Sequence, residues 1–230
     1  MIIYVDLEHE QVAETPAWEE SFANRLKIQY RLEDISGEPC LIQRYFHVTP
    51  DLLRTLNPRA VIISGCATEI TYYEEAKLAG LRQVLRDAAQ PILGFCAGEQ
   101  LMAQTYGVEI APMGPLAAGQ PDPYPEWDYG QGMRRERGFT PVRVLEPHPL
   151  LEGLGPAPVL FESHFWEVKT MPAGFRLAAT TDLCPVQMIV HESRPLFGTQ
   201  FHPEQYEAGH PDGRRFLANF FRLIGLPNAA

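Results

Sequence analysis

The chain has 230 residues, of which 45% are hydrophobic and 21% charged, the balance of an ordinary globular protein. Its formal net charge is −10, from 19 basic and 29 acidic residues, so nucleic acid, with its phosphate backbone, is not an expected partner. No run of about 18 apolar residues occurs in the sequence, so no membrane-spanning helix is expected.

The N-terminal segment is predicted to be a buried strand, because residues 2–5 form a short apolar run that ends at Asp6. It lacks the basic region and the long apolar stretch of a signal peptide. The four cysteines are scattered and form no CxxC pair, which argues against a disulfide framework or a zinc site. We therefore expect a cytoplasmic chain with reduced thiols, no metal and no cofactor.

A helix is predicted next, because Thr15 and Pro16 are typical N-cap and first-turn residues. Trp18, Phe22 and Leu26 follow at a spacing of four and are expected to share one apolar face.

Strands and helices continue to alternate after this helix. Strands are predicted at residues 59–64 and 91–95, and helices at residues 72–90 and 98–106. This order implies parallel strands joined by crossover helices, which is an α/β fold.

The second half of the chain differs from the first in composition and in the pattern of its predicted elements. Residues 111–135 are rich in proline and glycine and carry Tyr124, Trp127 and Tyr129, which predicts a long surface loop that is either functional or a plain spacer. Short strands of a mixed sheet are predicted from residue 140 onward, followed by a closing helix. The clearest of these segments are residues 175–179, 186–190 and 196–201 as strands and residues 214–224 as the helix. We expect one domain over residues 1–230.

The sequence around Cys96 has the pattern of a nucleophile elbow, Gly-x-Cys-x-Gly, between a predicted strand and a predicted helix. Flanking Gly94 and Gly98 permit a tight turn that lifts one side chain above the sheet. The helix N-terminus favours a thiolate there, and the N–H of Ala97 can bind a developing oxyanion. A buried cysteine in a glycine-rich turn is the plainer alternative.

A thiol nucleophile needs a proton acceptor, and His202 is the best candidate among the seven histidines. It ends a predicted strand and is followed by Pro203 and Glu204. Residues two apart in an extended segment point the same way, so Glu204 can reach the ring and hold its orientation.

These segments, GFCAGEQLMA and FGTQFHPEQ, resemble the signatures of class I (triad-type) glutamine amidotransferases, and within that family the amidotransferase domains of GMP synthetases. The resemblance implies a flavodoxin-like, open mixed and mostly parallel sheet with helices on both faces. It also implies glutamine as the substrate, hydrolysed through a γ-glutamyl thioester, with ammonia passing to a separate ATP-dependent synthetase.

The resemblance further implies residue roles. Cys96 is the expected nucleophile, His202 the base and then the acid, and Glu204 the residue that orients the histidine. The expected oxyanion donors are the backbone N–H groups of Ala97 and Cys66. The residues expected to contact the substrate are Gly65, Gln100, Ser163 and His164.

One departure from the family pattern concerns the oxyanion loop. The family usually has Gly-Gly-Pro or Asn-Gly-Pro after the serine, whereas Gly65-Cys66-Ala67 follows Ser64 here. Since glycine tolerates a positive φ that this loop could require, Cys66 leads us to expect an imperfectly formed oxyanion hole.

Three functions stay open at this point. The chain is a glutaminase that feeds a separate synthetase, a free-standing hydrolase of γ-glutamyl compounds, or a non-catalytic relative. The size of the pocket beyond the γ-amide distinguishes the first two, and the intact Cys-His-Glu set argues against the third.

Overall fold

A computed structural model describes residues 1–16, 18–87 and 89–226 of the chain. Its strands are β1 Ile2–Asp6, β2 Cys40–Arg44, β3 Ala60–Ile63, β4 Ile92–Phe95, β5 Ile110–Pro112, β6 Glu136–Pro141, β7 Arg143–Val144, β8 Val159–His164, β9 Trp166–Val168, β10 Phe175–Thr180, β11 Met188–His191 and β12 Leu196–Thr199. Its helices are α1 Trp18–Ser36, α2 Pro50–Leu56, α3 Glu75–Asp87, α4 Ala97–Thr105 and α5 Asp212–Leu223.

The central sheet of the described chain has eight strands in the order β2-β1-β3-β4-β12-β11-β10-β7. Strands β2, β1, β3, β4 and β12 run parallel, while β11, β10 and β7 extend the sheet by antiparallel pairing. The parallel part has the 2-1-3-4-5 order of flavodoxin-like folds. The expected open, mixed and mostly parallel sheet is therefore confirmed.

Two hydrophobic clusters cover the two faces of this sheet. Helices α1 and α5 pack on one face, with Ile28, Leu32 and Phe220 among the buried contacts. Helices α2, α3 and α4 pack on the other face, with Leu81 and Leu101 fully buried. Parallel strands buried on both faces explain why β1, β3 and β4 are continuous apolar runs.

The buried residues of the first helix are not those of the predicted apolar face. Helix α1 begins at Trp18 and buries Ile28, Leu32 and Ile35, whereas Phe22 is 46% exposed. The buried residues of this helix begin only at Arg25, so its first two turns contribute no residue to the buried core. Ala17, beside the expected helix start, lies outside the described residues.

The structure also adds elements that the sequence patterns did not predict. Strand β2 forms an edge of the sheet beside β1, and α2 follows it. In the second half, β8 pairs with β6 in a separate two-stranded sheet rather than joining the main sheet, and β5 pairs with β9. The predicted strand segments at 175–179, 186–190 and 196–201 do join the main sheet, as β10, β11 and β12.

The long loop predicted at residues 111–135 begins with β5 and then runs as an irregular segment to β6. We call residues 113–135 the aromatic loop. Its base is closed by backbone hydrogen bonds from Leu116 to Gly132 and from Arg134 to Gly114, at 2.9 and 2.8 Å. None of the described helices is long and apolar enough to cross a membrane.

Candidate active site

The predicted catalytic residues meet at the carboxyl edge of the parallel strands. Ser64 and Gly65 follow β3, Cys96 follows β4, and His202 lies just beyond β12. Because these three strands are neighbours in the sheet, their ends converge on one place.

Cys96 lies in a strained turn between β4 and α4. Its φ of 49° and ψ of −108° form a backbone conformation that L residues rarely adopt. A Cβ on Gly94 would lie 2.6 Å from the backbone carbon of Gly98, and a Cβ on Gly98 would lie 2.7 Å from the carbonyl oxygen of Ile63. Both glycines are thus required by close backbone approach, and the turn holds Cys96 at the N-terminus of α4.

The ring of His202 lies between its predicted partners. Its Nδ1 atom lies 2.7 Å from Oε1 of Glu204, and the ring and Cys96 both lie beside Gly65. Burial alone would lower the pKa of His202, but the negative charges of Glu204 and Cys96 raise it well above its ordinary value. The ring of His202 therefore favours its protonated, imidazolium form.

The predicted oxyanion loop lies directly beside this pair. A Cβ on Gly65 would lie 2.8 Å from Cε1 of His202 and 3.3 Å from Cβ of Cys96, so only glycine fits there. The carboxylate of Glu8 holds the loop by accepting hydrogen bonds from the N–H groups of Ala67 and Thr68, at 2.8 and 3.2 Å.

Cys66 does not require the conformational freedom of glycine. Among the described residues, Asn57 and Cys96 are the non-glycine positions with positive φ, and Cys66 is not one of them. Its thiol donates to the carbonyl oxygen of Thr68 at 3.0 Å. Within the part of the chain that the structure describes, the backbone N–H groups of Cys66 and Ala97 have no acceptor, so both can serve an oxyanion.

Two cavities meet at the Cys96–His202 pair. The narrow compartment, about 20 Å³, is lined by Cys96, Ala97 and Gln100 among others. The wide compartment, about 340 Å³, is lined by His202 and Glu204 among others. Three residues line both compartments, namely Cys66, Tyr129 and Ser163.

The aromatic loop forms one wall of both compartments, because Trp127 lines the wide one and Tyr129 lines both. The guanidinium of Arg135, whose side chain is fully buried, holds the loop in this place. It donates to the carbonyl oxygens of Trp127 and Tyr129 at 2.8 and 2.6 Å, and to Asp122 and Tyr124 at 2.6 Å each.

The family of this chain follows from a match to a known family model. Residues 37–224 match the family model described as glutamine amidotransferase class-I. The chain belongs to the class-I glutamine amidotransferase family. This confirms the family and the enzyme class that the GFCAGEQ and HPE motifs predicted.

Relatives of this amidotransferase include components of GMP synthases. The chain is 30% identical over 189 residues to the A subunit of the glutamine-hydrolyzing GMP synthase of Pyrococcus furiosus, which covers 78% of this chain and 83% of the relative. The corresponding protein of Methanococcoides burtonii is 37% identical over 167 residues, or 72% and 74% of the two chains.

A solved structure extends this likeness to the fold. A protein from Thermoplasma acidophilum, assigned as the A subunit of a GMP synthase, superposes with a TM-score of 0.70 and 25% identity, covering 97% of this chain and 94% of the other.

The residues expected to contact substrate lie near the nucleophile but are already engaged within the amidotransferase. Gln100 donates from Nε2 to the carbonyl oxygen of Trp166 and to Oε1 of Gln200, at 3.0 and 2.9 Å. The hydroxyl of Ser163 accepts from Arg137 at 3.2 Å. These two side chains and His164 line the narrow compartment.

His164 belongs to a buried cluster behind this compartment. Its Nδ1 contacts the carbonyl oxygen of Trp166 at 2.9 Å, and its Nε2 lies 3.1 Å from Glu136 and 3.3 Å from Glu162. Burial lowers the pKa of His164, but hydrogen bonds to these two carboxylates raise it to about 10. Glu136, His164 and Cys184 offer ligand atoms within 4.8 Å of one another, which a metal ion could use, but the histidine and Glu136 already satisfy each other as an ion pair.

Three functional residues escaped the sequence analysis. Gln200 donates from Nε2 to Sγ of Cys96 at 3.4 Å. Its position two residues before His202 could have indicated this contact, since alternate residues of an extended segment share a face. Glu8 lies just past β1, where the strand order reverses. Ligands of open α/β sheets bind at this point, so the rule could have indicated Glu8 as a site residue. No sequence pattern around Arg135 indicated that its side chain would hold the aromatic loop.

Proposed function

We propose that this chain hydrolyses the side-chain amide of glutamine, with Cys96 as the nucleophile, His202 as base and then acid, and Glu204 as the residue that orients the histidine. The observation that carries the proposal is the strained turn at Cys96, which places the thiol beside a histidine held by a buried carboxylate. These are the three parts that activate a cysteine nucleophile.

In the first step, the Cys96 thiolate attacks the γ-carbonyl carbon. The negative charge that develops on the carbonyl oxygen is stabilised by the N–H groups of Ala97 and Cys66, which are free to donate. The carbon–nitrogen bond then breaks as His202 gives its proton to the departing nitrogen, which leaves ammonia and a γ-glutamyl thioester.

In the second step, His202 takes a proton from water, and the resulting hydroxide attacks the thioester. Glutamate leaves and the thiolate returns. Glu204 keeps Nδ1 of the ring occupied, so that Nε2 alone exchanges protons with the reacting groups.

The amino-acid portion of glutamine would bind in the narrow compartment, against Gln100, Ser163 and His164. Gly65, which the resemblance also assigns to the substrate, lines the wide compartment and would contact the substrate from that side. A volume of about 20 Å³ holds roughly one water molecule, so this compartment must widen to admit the substrate. Tyr129, on the aromatic loop, is the wall shared with the wide compartment and is the side chain best placed to move.

The ammonia would pass to a separate ATP-dependent synthetase, because the relatives are named as one component of a GMP synthase that has more than one. We also propose a cytoplasmic location. Free thiols at all four cysteines agree with a reducing compartment.

The test replaces each of three cysteines in turn and measures ammonia release from glutamine. We expect Cys96→Ala to lower kcat by at least about 10⁴-fold, the loss typical of a missing nucleophile. Cys40→Ala and Cys184→Ala serve as controls, because neither of these buried cysteines lines the narrow or the wide compartment, and we expect nearly full activity from them.

A diazoketone analogue of glutamine provides an independent measurement. It should alkylate Cys96 alone, as peptide mass spectrometry would detect. Labelling of another cysteine, or normal turnover by the Cys96→Ala variant, would refute the assignment.

A further inference from the structure

The nucleophile and the base open into different compartments. Cys96 and Ala97 line the narrow compartment, whereas His202 and Glu204 line the wide one. The narrow space therefore adjoins the nucleophile and the wide space adjoins the proton donor, if Cys96 attacks the amide as proposed above.

This division assigns each half of the substrate to one side. The acyl half stays bonded to Cys96, near Gln100, in the narrow compartment. The departing nitrogen takes its proton from His202, so the leaving group emerges on the side of the wide compartment.

The wide compartment is far larger than ammonia requires. A molecule of about the size of water needs on the order of 10–15 Å³ in the same measure. The wide compartment holds about 340 Å³, which is within the range of sites that bind small organic ligands. A further cavity of about 510 Å³ adjoins it, since Glu8, Ser21, Asn24 and Ala67 line both.

The walls of the wide compartment suit a flat amine. Four phenol, phenyl or indole rings line it, those of Tyr4, Trp127, Tyr129 and Phe161. The Trp127 ring is held in place by the guanidinium of Arg137, 4.2 Å from its centre. Aromatic faces attract both flat apolar groups and cations, and an amine becomes a cation once it has left.

We propose that the wide compartment is a leaving-group site and that the chain also hydrolyses γ-glutamyl amides of aromatic amines. The inference rests on the proposed function, because it uses the same Cys96 thioester. The carbon–nitrogen bond breaks, His202 protonates the amine, and water then releases glutamate, so one amide and one water give one carboxylate and one ammonium ion.

The experiment compares glutamine with its γ-glutamyl benzylamide analogue. Benzylamine and ammonia are similar in basicity, so the comparison reports the size of the leaving group rather than its reactivity. Release of benzylamine and of ammonia is measured with the whole chain. We expect kcat/KM for the benzylamide to be within about tenfold of that for glutamine. A tenfold ratio corresponds to a difference of roughly 1.4 kcal/mol in the activation free energies of the two substrates.

Two variants sharpen the test. Trp127→Ala should lower kcat/KM for the benzylamide at least fivefold more than for glutamine. Trp18→Ala is the matched control, because Trp18 stacks on Phe22 near the start of α1, outside both compartments, and it should leave the ratio of the two substrates unchanged. If Trp127→Ala unfolds, as thermal melting would reveal, Phe161→Leu tests the same wall.

The outcomes separate this inference from the proposed function. Turnover of glutamine with benzylamide release more than about a thousandfold slower would overturn the leaving-group site and leave the compartment as a passage for ammonia and water. An unchanged substrate ratio in the wall variants would overturn it as well. Failure to hydrolyse glutamine at all would instead refute the proposed function.

Discussion

The turn that carries Cys96 and the aromatic loop form two walls of the same active site, but they are held in different ways. Backbone packing fixes the turn, because an added Cβ at Gly94 or Gly98 would lie within 2.7 Å of main-chain atoms. One side chain fixes the loop, because Arg135 donates to four of its residues. The first wall therefore depends on a short local motif, and the second on a single buried cation.

Substitution in the turn should have the largest effect. We expect Gly94→Ala to lower the free energy of unfolding by about 3 kcal/mol or more and to remove most glutaminase activity, because its Cβ would collide with the backbone of Gly98. Gly209→Ala is the matched control, since its Cβ would meet no atom within 4 Å and its φ is not positive. Urea unfolding and ammonia release check both variants, and equal stability of the two would contradict this account of the turn.

Release of the aromatic loop should have a smaller effect on stability and a distinct effect on the kinetics. Arg135→Met leaves the carbonyl oxygens of Trp127 and Tyr129 without their donor, so we expect a loss of about 2 kcal/mol in the free energy of unfolding. Because the pocket wall loosens while the triad stays intact, KM for glutamine should rise about tenfold with a smaller change in kcat. Limited proteolysis should cut the loop faster in this variant.

The control for the loop is Arg143→Met. Arg143 pairs with Asp182 on the surface, where the two side chains are 58% and 91% exposed, and such pairs contribute little. A KM for Arg135→Met equal to that of the control would show that the loop does not depend on its buried cation.

The buried cluster behind the narrow compartment predicts a pH dependence. His164 has an ordinary pKa of 6.5 when unfolded and about 10 when folded, so the unfolded chain loses this proton first. Its contribution to stability is fully present below pH 6.5 and declines as pH rises toward 10, with a slope of at most about 1.4 kcal/mol per pH unit.

Glu136→Gln should reduce this slope, because it removes one of the two carboxylates that keep His164 protonated. Thermal melting of the wild type and the variant between pH 6.5 and 9.5 measures the difference. Parallel melting curves would show that His164 does not retain its proton in the folded chain.

Replacement of Cys66 should have the smallest effect. The sequence suggested that glycine at this position would improve the oxyanion hole, but Cys66 has an ordinary φ and Glu8 already holds the loop. We expect Cys66→Gly to raise the basal rate of ammonia release only slightly, far below the roughly 10²–10³-fold that a missing oxyanion donor costs. A rise of a hundredfold would mean that the isolated chain lacks a formed hole and needs its synthetase.

The sequence by itself determined the elements in which a local rule decides the structure. The strained turn at Cys96 needs its two glycines wherever such a turn occurs. His202 and Glu204 contact each other within three residues of sequence. Both features could therefore be predicted before the fold was known. The same holds for the apolar strands of the parallel sheet, because strands buried on both faces are continuous hydrophobic runs.

Tertiary structure decided what depends on segments distant in the chain. The order of the strands brings His202 to Cys96, and it brings Glu8 and Gln200 to the same edge. Helix α1 buries Ile28 and leaves Phe22 exposed, a difference that the spacing of apolar residues within the helix does not reveal. Contacts of this kind come from packing between elements, which no periodicity within one element records.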